Sequence, residues 1–318
     1  MADRVKNLIS SRVSLAPMAG ITDYVLRGLV RKYSKSALLT TEMISSEYLK
    51  QVQAGDILKT DEIQHPISFQ ISGHKPELMA QAAKFLSSRA DMIDINMGCP
   101  VNKVVKGQDG SALMRNIPLA KDIVIAVKES TELPVSVKFR LGYTQDKMNF
   151  VEFGQAMQEA GAEFITLHAR TRAQLYSGNA DWSKIKDLVH NVDVPVFANG
   201  DIKCVEDAIK CLEQSDAFGV AVGRAAMGDP TLIGRIEHYF KTGEILPQPS
   251  LDERVKILKN HLDEEIRLRG DKIAIKFMRK FYPFYLAGFE HAKQLRVKII
   301  TEENYENIIN ALNEAFNL

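Results

Sequence analysis

Pro134-Val135-Ser136-Val137-Lys138-Phe139-Arg140 is a run of β-branched and aromatic residues with a lysine near its middle. A short apolar run of this kind reads as a strand. Helix-period segments stand on both sides of it, at Ile117–Ser130 and Asn149–Ala160. A strand so flanked belongs in a parallel sheet covered by helices. Working outward, the same pattern predicts strands at Arg12–Ala16, Ala37–Glu42, Pro66–Ile71, Asp91–Asn96, Glu163–His168, Val194–Asn199 and Ala217–Val222. Further helical segments are expected at Pro76–Ser88 and Val205–Gln214. Eight strands at a mean spacing of about 30 residues predict an α/β fold, a (β/α)8 TIM barrel. A doubly wound sheet is the alternative. It would more often carry a Gly-rich first turn, and the sequence holds no GxGxxG.

The character of the chain changes after Gly243. Pro247-Gln248-Pro249 punctuates it, and from Leu251 onward helical patterning repeats through Val255, Leu258, Lys259 and Leu262, then Ile308, Leu312 and Phe316. The expected division is a barrel over residues 1–246 and a C-terminal helical bundle over 247–318. A length of 318 residues accommodates both.

Composition bounds the function classes. Hydrophobic residues make up 45% and charged residues 25%, which argues against a disordered or fibrous chain. No apolar run of membrane-spanning length occurs, and the N-terminus lacks the apolar core of a signal peptide. Cys99, Cys204 and Cys211 are few and odd in number, which fits a reducing compartment, so a cytoplasmic location is expected. No CxxC or HExxH is present, and no metal site is expected. The 41 basic and 40 acidic residues exclude a uniformly basic coat protein but not a basic face.

Charge is in fact uneven. Between Arg254 and Lys298 stand twelve basic and five acidic residues, and the tail from Glu302 to Glu314 returns four acids. Aromatics interleave the basic run over Lys276–Tyr285, with Arg279 and Lys280 at its centre. Basic charge with aromatics suits RNA, through phosphate contacts and base stacking. The same pattern also describes an amphipathic helix with a solvated face and an aromatic core face.

In a (β/α)8 barrel the chemistry sits at the C-terminal strand ends. Those ends read Ala16-Pro17-Met18-Ala19-Gly20, Glu42-Met43, Gln70, Asn96-Met97-Gly98-Cys99-Pro100, Lys138 and Arg140, His168-Ala169-Arg170, Asn199-Gly200-Asp201 and Gly223-Arg224. Polar groups from all eight strands converge on one rim, which a purely structural barrel does not need. Gly200 and Gly223 follow the last two strands, where glycine lets the backbone approach a phosphate and Arg224 adds a charged contact. Lys138, inside an apolar strand, must meet a negative group or polarise a ligand; a rim lysine that snorkels to water is the plainer reading. Gln70 both donates and accepts, which suits a ring with amide and carbonyl edges. Cys99 lies just beyond a strand, in a loop whose glycines read as a mobile lid, and could act as a proton donor or a nucleophile.

An ordered set of motifs adds to this reading: APMAGITD (16–23), DINMGCP (94–100), GSAL (110–113), VKFRLG (137–142), LHARTR (167–172), ANGDI (198–202) and VGRAAMGDP (222–230). With KFMRKFYPFYL further on, the chain resembles the bacterial tRNA-dihydrouridine synthases, most closely the B type, over nearly its whole length. The resemblance implies an FMN-dependent oxidoreductase that reduces a flipped D-loop uridine of tRNA to 5,6-dihydrouridine, with NADPH or NADH as reductant. It implies that Pro17, Met18 and Ala19 lie along the flavin. Gln70 and Lys138 would meet its ring edge, and His168, Asn199, Gly200, Asp201, Gly223 and Arg224 would surround its phosphate side. Cys99 matches the general acid. Asn96 matches a uracil contact, with Arg170, Lys276, Arg279 and Lys280 as further substrate-binding candidates. No membrane and no obligate protein partner are expected. Two alternatives remain at this point: an FMN-dependent enzyme of a free pyrimidine, such as a dihydroorotate dehydrogenase, and a non-catalytic RNA-binding protein.

Overall fold

The computed structural model of the chain describes residues 2–49 and 58–316. Nine strands form one sheet: β1 (Val13–Leu15), β2 (Leu38–Thr40), β3 (Ile44–Ser45), β4 (Ile67–Ser72), β5 (Met92–Asn96), β6 (Val135–Arg140), β7 (Phe164–His168), β8 (Val196–Asn199) and β9 (Gly219–Val222). Their order is β2-β1-β9-β8-β7-β6-β5-β4-β3, and β2 also pairs with β4. That last pairing closes an eight-stranded ring, and every pairing in it is parallel. The fold is a (β/α)8 TIM barrel. All eight expected strands are present. The ninth, β3, is a two-residue extension paired with β4 outside the ring, too short to leave a pattern in the sequence.

The ring strands are almost wholly buried, because helices cover their outer faces while the inner faces fill the barrel. The expected helices stand at Pro76–Leu86, Ile117–Glu129, Phe150–Glu159 and Val205–Ser215. A further helix at Tyr24–Tyr33 is not visible in the sequence pattern, for a physical reason. Two buried arginines interrupt its apolar stripe. Arg31 spends its donors on the carbonyls of Ser34, Ala37, Gln64 and Pro66, and Arg27 on those of Thr22 and Lys59 and on Gln64 Oε1. Both cations therefore act as core linkers that tie the strand ends to the helix.

The helix Thr231–Thr242 ends on Gly243, whose φ of 77° closes it in the left-handed region. The next helix, Leu251–Arg269, starts on a capping box between Ser250 and Glu253. Four more helices follow, Asp271–Met278, Tyr282–Tyr285, Ala292–Thr301 and Tyr305–Phe316, and no strand stands among the described residues beyond β9. Their cluster contains Leu258, Leu262, Phe281, Tyr285, Ile299 and Leu312, and it also includes Leu26 and Met227 from the barrel side. The helical unit thus packs on the barrel rim rather than hanging from a linker. No described helix is long and apolar enough to cross a membrane.

One contact sets how closely the two parts approach. A Cβ added at Gly228, just after β9, would fall 2.4 Å from the backbone carbonyl carbon of Phe284 in the helical unit. Backbone cannot yield as a flexible side chain can, so Gly228→Ala must push the helical unit off the rim. The expected loss is about 1–3 kcal/mol in urea unfolding of the whole chain. Unchanged stability would contradict this packing.

Candidate functional site

The C-terminal strand ends and the helical unit enclose a cleft of about 1160 Å³. Every expected site residue of the barrel lines it: Pro17, Met18, Ala19, Gln70, Asn96, Cys99, Lys138, His168, Arg170, Asn199, Gly200, Asp201, Gly223 and Arg224. Arg254 and Phe284 close it from the helical side.

Ser136, Lys138 and Arg140 alternate along β6 and share one face of it, so the strand period carries three polar groups inward. Lys138 Nζ donates to Asn199 Oδ1 at 3.0 Å, and Asn199 Nδ2 donates to the carbonyl of Ala221 at 2.8 Å. Burial, with the neighbouring Arg140, lowers the Lys138 ammonium to about 8, while Asp94 works to hold it up. Lys138 is therefore a cation at neutral pH that loses its charge readily, which suits a group meeting a ligand of variable charge. His168 is pushed well below the usual imidazole range by burial and by Lys138, Arg140, Arg170 and Arg224, so it is neutral at physiological pH.

A chain of side-chain hydrogen bonds leads to the backbone at Cys99. Ser136 Oγ and Gln70 Nε2 each donate to Asp94 at 2.6 Å. Asn96 Nδ2 donates to Gln70 Oε1 at 2.8 Å, and Asn96 Oδ1 accepts the backbone N–H groups of Cys99 at 2.9 Å and Gly98 at 3.2 Å. The register of β4, β5 and β6 sets Gln70, Asp94 and Ser136 side by side. Burial raises the Cys99 thiol, with Arg140 and Lys138 pulling it back only in part. The group is a thiol at neutral pH, fit to give a proton rather than to attack. The loop read as a glycine-rich lid is half anchored: a short helix over Asn102–Lys106 buries none of its residues, while Gly110–Met114 is buried. Gly110, at φ 60°, lies where a Cβ would fall 2.8 Å from the Cys99 carbonyl oxygen.

The opposite end of the cleft is rich in cations. Gly200 has φ 121°, and a Cβ there would meet Ala180 Cβ at 2.8 Å and the His168 ring at 3.0 Å, so only glycine fits. A Cβ at Gly223 would meet only Met18 Sδ at 3.7 Å and Ala16 Cβ at 3.9 Å, space that glycine leaves open to the cleft. Arg224 donates to Asp201 Oδ1 at 3.2 Å and lies over the Tyr176 ring. Arg170, expected to touch substrate, is buried and donates to Asp201 and to the carbonyls of Ser177 and Gly178. Asp201 also accepts the Ala180 N–H, so its carboxylate orients the two arginines.

The three candidates in the helical unit do not gather at the cleft. Lys276 is exposed, 3.9 Å from Glu303. Arg279 is half-buried and donates to the carbonyl of Glu302. Lys280 turns toward the barrel, where it donates to the carbonyl of Gly20 and lies 3.2 Å from the Phe277 ring centroid. Sequence reasoning assigned no role to Asp94, Ser136, Arg140 or Tyr176. The period of two along β5 and β6, counted back from Asn96 and Lys138, is the signal that finds the first two.

The family described as Dihydrouridine synthase (Dus) matches residues 14–317. A probable tRNA-dihydrouridine synthase 1 of Synechocystis is 41% identical over 293 residues, covering 92% of this chain and 82% of that protein. A tRNA-dihydrouridine synthase B of Pseudomonas aeruginosa is 37% identical over 293 residues, covering 91% and 88%. Among solved structures, an old yellow enzyme homologue from Zymomonas mobilis superposes with a TM-score of 0.50 at 12% identity, covering 76% of this chain and 92% of that one. That likeness is one of fold. With a family match that spans the barrel and the helical unit alike, the chain belongs to the dihydrouridine synthase family.

Proposed function

We propose that the protein is an FMN-dependent tRNA-dihydrouridine synthase, reducing a D-loop uridine of tRNA with NADPH or NADH as the source of electrons. The observation that carries this reading is the presence, in one cleft, of a half-buried thiol, raised by burial, on one side and a cluster of cations and glycines on the other. The relatives, tRNA-dihydrouridine synthases, support the substrate class.

The residues present fit FMN. Gly223 with Arg224 offers an open, cationic cradle for its phosphate, and Gly200 and Asp201 shape that end. Pro17, Met18 and Ala19 supply a wall for the ring, and Gln70 and Lys138 supply donors for its polar edge. Asn199 holds the Lys138 ammonium in place, and neutral His168 adds a hydrogen bond without charge. When bound, the flavin supplies the hydride that goes to C6 of the uracil.

The chain's own groups do the rest. A uridine in folded tRNA offers neither face, so the base must leave its stack to enter the cleft. Asn96 has its oxygen committed to the Gly98 and Cys99 N–H groups and one amide hydrogen to Gln70, which leaves the second for the uracil edge. Cys99 gives its proton to C5. Phe284 and Arg254 narrow the mouth from the helical side.

The direct test is mass analysis of unmodified tRNA incubated with the protein and NADPH, where a uridine is expected to gain two hydrogens. Cys99→Ala is expected to keep flavin and tRNA but to lose turnover by about 10²–10⁴-fold. Near wild-type turnover would remove Cys99 from the reaction.

The pH dependence has a sign. The Lys138 charge is present below about 8 and lost above it, so affinity of the apoprotein for FMN is expected to fall as pH rises through that value. Lys138→Met is expected to bind more weakly and to flatten the profile. The Cys99 thiol, raised by burial, stays protonated across the same range and does not produce that limb. An unaltered profile in Lys138→Met would contradict the role of Lys138.

Lys276 and Lys280 are expected to separate in salt titrations of tRNA binding. Lys276 is solvent-facing, so Lys276→Ala should lower the salt slope by about 1. Lys280 faces the barrel, so Lys280→Ala should leave the slope in place while loosening the helical unit. Equal slopes for Lys276→Ala and wild type would mean that this basic run does not meet phosphate.

A further inference from the structure

Asp94 is a buried carboxylate that the reaction as derived above does not use. Its oxygens are held by Ser136 Oγ and Gln70 Nε2, each at 2.6 Å. From Gln70 the contacts run through Asn96 to the backbone of Gly98 and Cys99. Gln70 and Asn96 are both buried, so water does not share these bonds freely.

The polarity of this chain is determined from both ends. Side-chain amides can turn over, exchanging donor for acceptor. At the Cys99 end the partners are two backbone N–H groups, which can only donate, so the Asn96 oxygen must face them. That turns the Asn96 amide hydrogens toward Gln70 and requires the Gln70 oxygen to receive them. The Gln70 amide hydrogens then point at position 94, where an acceptor is needed. An ionised carboxylate supplies one in either orientation, and the Ser136 hydroxyl fixes it from the far side. An apolar residue there would leave a buried donor without a partner.

We propose that Asp94 is a positioning residue: through Gln70 and Asn96 its carboxylate sets the backbone at Gly98 and Cys99, and so the place of the Cys99 thiol. Its catalytic consequence rests on the reading of Cys99 as proton donor, whereas the positional effect on the thiol does not. A second conclusion follows from the same polarity. Asparagine at position 94 keeps the relay, because its amide oxygen can accept from Gln70 while its amide nitrogen donates to the Ser136 hydroxyl.

The test follows the thiol directly, in the full-length flavin-loaded protein. Iodoacetamide alkylation of Cys99 is timed by mass spectrometry, with half-buried Cys204 as the internal reference. Asp94→Leu is expected to speed Cys99 alkylation about tenfold by loosening its loop, with Cys204 unchanged, while Asp94→Asn stays within about threefold of wild type. Adding Asp94→Leu to Asn96→Ala is expected to change the rate less than about twofold beyond Asn96→Ala alone, because both cut the same chain. An unchanged Cys99 rate in Asp94→Leu would overturn the proposal, as would multiplicative effects in the double variant. If Asp94→Leu does not fold, Asp94→Asn decides alone: a tenfold acceleration there overturns the relay. The same variants are then followed by anaerobic reoxidation of the reduced flavin on adding tRNA. Asp94→Leu is expected to be slowed, and Asp94→Asn much less. The expected alkylation pattern across the variants, with no reoxidation of the wild-type flavin by tRNA, would sink the proposed function and leave the positioning role standing.

Discussion

An ammonium group held low in the mouth of the barrel is the constraint around which this end of the molecule is built. Lys138 projects inward from β6, where water cannot solvate it freely. A buried charge persists only where oriented dipoles and opposite charge stabilise it. Asn199 gives it an oxygen, the Ala221 carbonyl holds Asn199 in turn, and Asp94 lies close enough to favour the charged form. Asp94 is itself stabilised by Ser136 and Gln70, and Gln70 by Asn96, whose oxygen caps the Cys99 turn. The cation and the thiol thus belong to one polar assembly, with parts drawn from β4, β5, β6 and β8.

The helical unit is attached to the same rim by polar contacts of a different kind. The loop after β1 carries Pro17, Met18 and Ala19, and its continuation is gripped from the helical side. Lys280 donates to the Gly20 carbonyl, Arg269 pairs with Asp23, and the Gly20 N–H donates to Glu42. Asp23 also caps the helix Tyr24–Tyr33 through the Leu26 N–H. Burial and the nearby Glu265 raise its carboxyl to about 6. The wall of the cleft and the seat of the helical unit are therefore one structure. This explains why the basic run that suggests RNA from the sequence divides in two. Lys276 faces solvent, while Lys280 is used to join the halves.

The barrel was legible because its strands are short apolar runs at even spacing, and the rim because polar residues end those runs. His168, Asn199 and Gly223 announce themselves in this way. The helix Tyr24–Tyr33 did not, since Arg27 and Arg31 occupy core-facing positions that periodicity assigns to apolar side chains. Asp94 and Ser136 were readable as strand residues but not as partners. Their meeting depends on the register between β5 and β6, which no single strand encodes. The direction in which Lys280 points was equally hidden, because its partner, the Gly20 carbonyl, lies 260 residues away in the chain. The net charge of +1 conceals all of this, as it averages a rim of paired charges with exposed lysines.

A flavin bound in the cleft between barrel and helical unit would colour the protein. The visible spectrum of the purified full-length protein tests it most directly. Bands near about 370 and 450 nm are expected, or their appearance on adding FMN to colourless protein. These bands are expected to bleach on anaerobic addition of NADPH and to return on adding tRNA. A folded protein that stays colourless and takes up no FMN would contradict a flavin site in the cleft.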